Sequence, residues 1–287
     1  MTKTKKIEQM RFFLSEQMQL FRCPKCHKSF VQVEKNSFKC ELGHTFDISR
    51  KGSVFFLIGK APDDYSKNLF DSRRTVIQHG IFDPVIDYLS KKINNSGLVV
   101  DAGSGEGSIT ELLAHKINNQ LLGFDISKNG VDLAVSGKTQ SNLHYFVGDL
   151  SNIPLADHSV RAIINFLSPA NYGEFGRILE SDGVVYKIIP NANYLVELRH
   201  LKYQTNQKHF NYSNENVVNL FKENFASVES KKFSYKVAVK EISSELMAMT
   251  PLMWDAELRT DFEIDQITVD LTVLGGKQWT KKKKLKD

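Results

Sequence analysis

Two groups of residues in this chain combine side-chain type and spacing in a way that points to chemistry. The first is Cys23-Pro24-Lys25-Cys26, then thirteen residues, then Cys40-Glu41-Leu42-Gly43-His44, a C-x2-C-x13-C-x3-H pattern. Tetrahedral zinc takes four sulfur or nitrogen donors, and a filled set of four makes the expected metal structural rather than catalytic. A proline after the first cysteine and a glycine before the histidine suit the tight turns of two metal-binding knuckles. His27 competes as a donor, but directly after Cys26 its ring is poorly placed to face the same ion. The alternative is three cysteines packed into a small core. With only three cysteines, the chain is expected in a reducing, cytoplasmic compartment.

The second group begins at Leu98-Val99-Val100-Asp101 and continues Ala102-Gly103-Ser104-Gly105-Glu106-Gly107-Ser108. This is an apolar strand ending in D-x-G-x-G-x-G and opening a helix. Glycines let the backbone pass close to a ligand, and the helix start offers unpaired N–H groups. A dinucleotide fingerprint, G-x-G-x-x-G, would need its third glycine at Ser108. An acid two residues before the first glycine suits the ammonium of S-adenosylmethionine better than a pyrophosphate. Asp125 ends the next strand, where a carboxylate can accept both ribose hydroxyls, and Asp149 ends the third, where an adenine amino group is met. A nicotinamide or flavin cofactor and a purely structural glycine turn are the competing explanations. Alone, either aspartate reads as a surface or capping carboxylate; their shared place at strand C-termini is what groups them. After the fourth strand, Asn165-Phe166-Leu167-Ser168-Pro169 is expected to border the substrate, with Asn165, Ser168 and Pro169 as the candidates to touch it and Phe166 as ready to be core. Arg73 and Arg74, just ahead of the sheet, read as solvated helix residues or as a contact to a substrate phosphate.

The elements that must position these groups follow from periodicity. Residues 97–101, 120–125, 143–147, 161–166 and 183–189 are short apolar runs separated by helical stretches, the pattern of a doubly wound parallel sheet. Residues 232–239 and 262–274 alternate and are expected to close the sheet edge as an antiparallel pair, with a helical stretch at 241–253 between them. A helical pattern over 66–88 is broken at Gly80 and Pro84. Around the cysteines, 29–33 and 37–39 predict one hairpin, and 45–48 with 53–57 a second. The expected fold is thus α/β, a Rossmann-like S-adenosylmethionine-dependent methyltransferase sheet with a small N-terminal zinc ribbon. Its divisions are a helical extension over 1–20 with little specific content, a zinc-ribbon RNA-recognition module over 21–58, and linker helices with the methyltransferase domain over 59–287.

The chain has 287 residues, 41% hydrophobic and 25% charged, which excludes a wholly disordered protein. It has no apolar run of 18 residues and no leader-like N-terminus, so membrane spanning and secretion are not expected. The net charge of +5 is unevenly spread. Residues 1–60 carry +7, residues 61–276 carry −7, and the tail from Lys277, with Lys281–Lys284, carries +5. Basic ends around an acidic middle suit a polyanion, nucleic acid first, although a solvated lysine face has the same composition.

Together these motifs resemble the RlmA family of rRNA (guanine-N1)-methyltransferases, whose Gram-positive branch includes the tylosin-resistance enzyme TlrB. The resemblance rests on Cys23-Pro24-x-Cys26, Lys35-Asn36-Ser37-Phe38-x-Cys40, His44-x-Phe46-Asp47 and Phe70-x-x-Arg73-Arg74 followed by Gly80. It continues through Asp101 to Gly107, Ser168-Pro169, Glu197-Leu198 and Met249-Thr250-Pro251, leaving only the residues before Phe21 outside. It implies methyl transfer to N1 of a guanine in the helix 35 hairpin of 23S rRNA, a homodimer whose zinc modules shape the RNA cleft, and a bearing on antibiotic resistance. By family correspondence Phe82, Gly105, Glu106 and Tyr194 fall among the cofactor contacts. Members can carry Tyr at the first of these and His at the last, so Phe82 contributes ring packing but no hydrogen bond. Two other classes compete: a small-molecule methyltransferase using zinc for dimerisation, and a non-catalytic zinc-containing RNA-binding protein. The first leaves the basic ribbon without a role, and the intact glycine loop argues against the second.

Overall fold

The computed structural model describes residues 5–59, 67–93, 96–138, 140–203, 212–253 and 263–280. Most of the expected linker after Gly59, the start of the last strand at Phe262 and the lysines Lys281–Lys284 lie outside these residues.

Strands β5 (Leu98–Ala102), β6 (Gln120–Asp125) and β7 (Leu143–Val147) form the first half of an eight-stranded sheet. β8 (Val160–Phe166) and β9 (Leu179–Pro190) continue it on the other side of β5. β5 and β7 are buried along their whole length, as parallel strands covered on both faces must be. All these neighbours pair in parallel. The edge is closed by β11 (Gln266–Trp279) and β10 (Phe225–Ala238), both antiparallel, as the alternation predicts. With β4 (Ser53–Phe55) at the far edge, the strand order is β10-β11-β9-β8-β5-β6-β7-β4. β5 therefore stands where the winding reverses, and the crevice beyond its C-terminal end is where such sheets bind ligands.

Helices α2 (Lys67–Gln78) and α3 (Asp83–Lys92) precede the sheet and break between Gln78 and Asp83, around Gly80. α4 (Ser108–Ala114) and α5 (Lys128–Gly137) link the first three strands, and α6 (Tyr172–Ile178) links β8 to β9. After β9 come α7 (Val196–Tyr203), α8 (Glu215–Asn224) and α9 (Ser243–Met249).

The N-terminal part departs from the sequence reading in a definite way. β1 (Phe30–Glu34), β2 (Ser37–Cys40) and β3 (Thr45–Asp47) form a three-stranded antiparallel sheet. The expected second hairpin does not form; Ile48 and Val54 share a single bridge. Instead β4 (Ser53–Phe55) pairs in parallel with β7 and becomes the edge of the large sheet. The reason is burial: Val54 and Phe56 are almost wholly covered there, which a ribbon of about 40 residues offers poorly. Phe56 packs edge-on to Phe146 of β7 at 5.5 Å and also meets Phe21, Phe30, Phe38 and Phe46 of the ribbon. One apolar cluster thus runs from the ribbon onto one face of the sheet.

Helix α1 (Lys6–Glu16) joins that cluster through Met10, Phe13 and Leu14. Phe13 stacks on His144 of β7 at 4.0 Å, and the Lys6 ammonium donates to the carbonyls of Val135 and Ser136 at the end of α5. The N-terminal helix is therefore a packed part of the core.

Replacing Phe56 by Ala should cost about 3–5 kcal/mol, the usual range for a buried phenylalanine. Because ribbon and sheet share this ring, zinc release and loss of helical circular dichroism should shift together in one denaturant transition. Two separated transitions would show that the ribbon folds on its own.

Candidate active site and metal centre

The cofactor cleft is built at the reversal point. The Gly103 and Ser104 N–H groups both donate to the Phe124 carbonyl at 2.9 Å, so the glycine loop is tied to the end of β6. Gly103 has φ +83°, and a Cβ there would run into the Ser168 side chain. Gly105 has φ +56°, and a Cβ would meet only Arg73 at 3.5 Å and Phe70 at 3.7 Å, both in the cleft. Its bare backbone leaves room that a ligand can occupy. Gly107 is different. It sits at the start of α4 with its carbonyl accepting from the buried Tyr145 hydroxyl at 3.1 Å, and lines no part of the cleft. Gly107, expected as a cofactor contact, is placed inside the helix–sheet packing.

The cleft has two lobes that share Arg73, Gly103, Phe166 and Leu167. One lobe, with a cavity volume of about 190 Å³, brings Phe82, Asp101, Gly105, Glu106 and Tyr194 together with Met249 and Thr250. The other holds Asp125, Asp149, Leu150, Ser168 and Pro169. Of the cofactor and substrate candidates singled out in the sequence, all but Arg74, Gly107 and Asn165 reach one lobe or the other.

Electrostatics distinguish the lobes. Asp101 is 2% exposed; Oδ2 accepts from Thr110 Oγ1 at 2.5 Å, while Oδ1 has no partner. Burial pushes its carboxyl up to about 7, with Asp125 and Glu106 adding to the shift. Glu106 is also raised by burial, against the pull of Arg73. Two buried carboxylates, one oxygen of them orphaned, form a site that favours an incoming cation. The ammonium of an amino-acid end fits that requirement. Burial likewise raises the Tyr194 phenol. Phe82, buried and edge-on to Phe166 at 4.9 Å, contributes ring surface only.

In the second lobe Asp125 accepts from the Gly105 N–H at 2.9 Å and the Ser127 N–H at 2.8 Å. Its carboxylate orders the glycine loop while lining the cleft, and burial raises it. Asp149 accepts from the Ser151 N–H and hydroxyl, both at 2.7 Å, which makes a tight turn at the lobe's far wall. The turn is fastened to the ribbon. Asn152 Nδ2 donates to the Pro24 carbonyl at 2.7 Å, within the first cysteine knuckle.

Asn165 does not face a substrate. It is completely buried, with Nδ2 donating to the carbonyls of Ala102 at 2.7 Å and Pro169 at 2.8 Å. Its Oδ1 accepts from Lys187 Nζ, which also donates to the Ser168 carbonyl. Asn165, expected to border the substrate, is placed inward, where its amide laces the loop to β5. Lys187 was not legible as a site residue, since it lies mid-strand in an apolar run. Nor was the backbone of Leu167 and Leu195, both left-handed without being glycine (φ +49° and +53°) and both at the cleft. Arg74 turns away to the carbonyls of Glu106 and Leu133, so Arg73 alone of the pair lines the cleft.

The ligand atoms of Cys23, Cys26, Cys40 and His44 all lie within 4.8 Å of one another. Cys26 and Cys40 Sγ are 3.7 Å apart, and His44 Nδ1 is 3.7 Å from Cys23 Sγ and 3.5 Å from Cys40 Sγ. With Zn–S near 2.3 Å, a regular tetrahedron sets its sulfurs about 3.8 Å apart, so the donors fit zinc. His27 is exposed and stands outside this set.

Comparison with known proteins agrees with this geometry. The profile described as "RlmA, N-terminal", a zinc ribbon, matches residues 21–57, and a methyltransferase-domain profile matches residues 99–183. YxjB of Bacillus subtilis, named for 23S rRNA (guanine-N(1)-)-methyltransferase activity, is 34% identical over 281 residues, covering 90% of this chain and 96% of its own. The 23S rRNA (guanine(748)-N(1))-methyltransferase of Streptomyces fradiae is 28% identical, over 62% of this chain and 65% of its own. Among solved structures, Haemonchus contortus phospholethanolamine N-methyltransferase 2, in complex with phosphomonomethylethanolamine and S-adenosylhomocysteine, superposes with a TM-score of 0.53 at 13% identity. That alignment covers 96% of this chain and 75% of the other, and shares the fold.

Two outcomes follow. Gly105→Val should fill the room beside Arg73 and weaken S-adenosylhomocysteine binding by about 100-fold in calorimetry, the scale of a group misplaced at a close contact. The second concerns pH. Asp101 folds with its carboxyl raised, so its burial as an anion costs stability above the unfolded value, and a bound ammonium relieves that cost. Between about pH 5 and 7, affinity should therefore fall by up to about tenfold per pH unit as pH drops, with proton release on binding. Asp101→Asn should flatten that slope; an unchanged slope would place the titrating group elsewhere.

Proposed function

Because the chain belongs to the RlmA family of 23S rRNA (guanine-N1)-methyltransferases, we propose that it methylates N1 of a guanine in the helix 35 hairpin of 23S rRNA. The observation that carries this reading is a cleft with an orphaned Asp101 oxygen and a bare Gly105 backbone, placed beside a Cys3His ribbon of the family's own type. Bound in that cleft, S-adenosylmethionine supplies the methyl group from its sulfonium.

The chain's own residues do the rest by holding and excluding. Asp101, with Glu106 beside it, takes the ammonium end; Phe82 and Tyr194 close over that lobe. Asp125 accepts from the ribose and Asp149 borders the adenine. Phe166 and Leu167, common to both lobes, wall the point where the target base enters. An in-line displacement gains most of its rate from such positioning. The guanine must leave its stack, at a cost of a few kcal/mol that is smaller in a hairpin loop. Its N1 proton leaves to solvent as the N1–methyl bond forms, since the Asn165 amide and the carbonyls of Ser168 and Pro169 are not bases and are engaged internally.

The ribbon brings in the RNA. Lys25, Lys28, Lys35 and Arg50 are exposed on it, whereas Lys51 is held by Asp132 at 3.2 Å. Zinc holds this surface in shape and takes no part in the chemistry. The same reading includes a homodimer and a cytoplasmic site of action. The latter accords with the three cysteines gathered as metal ligands rather than paired in disulfides. Light scattering distinguishes a 32.7 kDa monomer from its dimer.

Incubation with labelled S-adenosylmethionine and unmodified 23S rRNA, followed by reverse transcription, tests the reading. A methyl on N1 blocks Watson–Crick pairing, so a new stop should appear at one guanine of the hairpin. Label in a small metabolite and none in RNA would overturn it. Neutralising Lys25 and Lys28 should weaken RNA binding and flatten its salt dependence by about 0.7 per lost single-strand contact, with S-adenosylhomocysteine affinity constant.

A further inference from the structure

We propose that Lys187 is a positioning residue for methyl transfer: through Asn165 and the Ser168 carbonyl, its ammonium holds the loop after β8 in the shape that presents Phe166 and Leu167 to the target base. The proposal rests on the reading of that loop as the substrate wall.

Lys187 stands on β9 directly across from Asn165 on β8 and is 6% exposed. A lysine so buried is ordinarily paired with an acid. Here the acceptors are both neutral: Asn165 Oδ1 at 2.5 Å and the Ser168 carbonyl. Burial accordingly pushes the amine down to about 8. For the sheet alone this is a poor arrangement, because an apolar side chain of similar length would pack between β8 and its neighbours without desolvating a charge. What the ammonium accomplishes lies at the loop.

Its bond to Oδ1 decides which way the Asn165 amide faces, and so directs Nδ2 to the carbonyls of Ala102 and Pro169. Its bond to the Ser168 carbonyl fixes the Ser168–Pro169 peptide, one residue beyond Leu167. Leu167 is held at φ +49°, a left-handed conformation that strains a residue with a side chain and persists only under surrounding constraint. The other constraint is its own N–H, which donates to the Ile188 carbonyl next to Lys187 at 3.1 Å. The outcome is an apolar Leu167 side chain, 36% exposed, aimed into both lobes of the cleft. The same tether brings Ser168 over Gly103, so the wall for the base and the loop for the cofactor keep one spacing.

The test uses the full-length zinc-loaded protein with Lys187→Met, which removes the donors, and Lys187→Arg, which keeps them. In the Met variant, turnover on rRNA should fall by about 30- to 100-fold, as expected for sub-ångström misplacement of a reacting group, while KM for S-adenosylmethionine stays within about twofold. S-adenosylhomocysteine should still bind at full stoichiometry. Exchange of the Leu167 amide should quicken by at least about tenfold as the loop loosens locally. The Arg variant should recover a tenth or more of wild-type turnover, about the loss left by one imperfect hydrogen bond. A Met variant that turns over like wild type overturns the proposal. So does one that loses S-adenosylhomocysteine binding along with turnover, because Lys187 would then serve the fold alone. A wild-type protein that binds S-adenosylhomocysteine but leaves rRNA unmethylated refutes the substrate reading instead, and Leu167 amide exchange then decides the loop assignment separately.

Discussion

Just beyond the ends of β5 and β8, Gly103 and Ser168 approach so closely that no Cβ fits on residue 103, and the rest of the site depends on that approach. Gly103 meets the Ser168 side chain where any Cβ would collide, and the Asn165 amide spans the same gap to the Ala102 carbonyl. At a reversal point the two strands diverge in their onward connections, leaving a crevice that only their tips can shape. Here the tips are bound to each other. The cofactor loop and the proposed base wall therefore move as one body, which suits a reaction whose rate is governed by the distance between a methyl donor and a ring nitrogen.

A second coupling joins the site to the metal. The turn carrying Asp149 is held from the ribbon side by Asn152 on the Pro24 carbonyl and by the Arg22 N–H on the Pro154 carbonyl. From the other side Arg177 fans its guanidinium over the carbonyls of Ile153 and Leu155 and the acids Glu174 and Asp157. Burial and ion pairing oppose each other at Arg177, and the paired acids prevail, raising its guanidinium. The knuckle that binds zinc thus lies two hydrogen bonds from the wall of the cofactor cleft. Together with β4 and the Phe56 cluster, this makes the ribbon a shoulder of the catalytic sheet in physical terms.

The charge distribution fits this arrangement. The acidic middle of the chain places its buried carboxylates around the cleft, where a cationic cofactor would meet them, and the ribbon exposes Lys25, Lys28, Lys35 and Arg50. Arg73 is the one basic side chain among the cleft-lining residues described, and its charge moderates Glu106 and Asp125. In the proposed function, the net negative charge of the middle segment would repel a polyanion and the ribbon would supply the attraction.

Much of this was legible in the chain itself, for a consistent reason. The zinc donors lie within 22 residues, and the glycine loop is one strand–turn–helix, so their chemistry is written in local spacing. Strand and helix periodicity likewise report local burial, and the antiparallel closure follows from alternation at the C-terminal end. What tertiary structure alone decided is how distant segments meet. Asn165 looked like a polar group at a strand tip free to touch substrate; a partner 63 residues back and another 22 residues on turn it inward. Gly107 shares the spacing of Gly103 and Gly105 but faces Tyr145, because α4 has already begun to pack. Residues 53–55 have the pattern of a hairpin strand, yet β7 offers them more burial than their sequence neighbours do. Lys187 carries no local signal, since a lysine within an apolar strand acquires its meaning only from the loop folded over it. Spacing along the chain determines which groups can act together within one turn; which groups compete for the same buried space is settled only when the sheet closes.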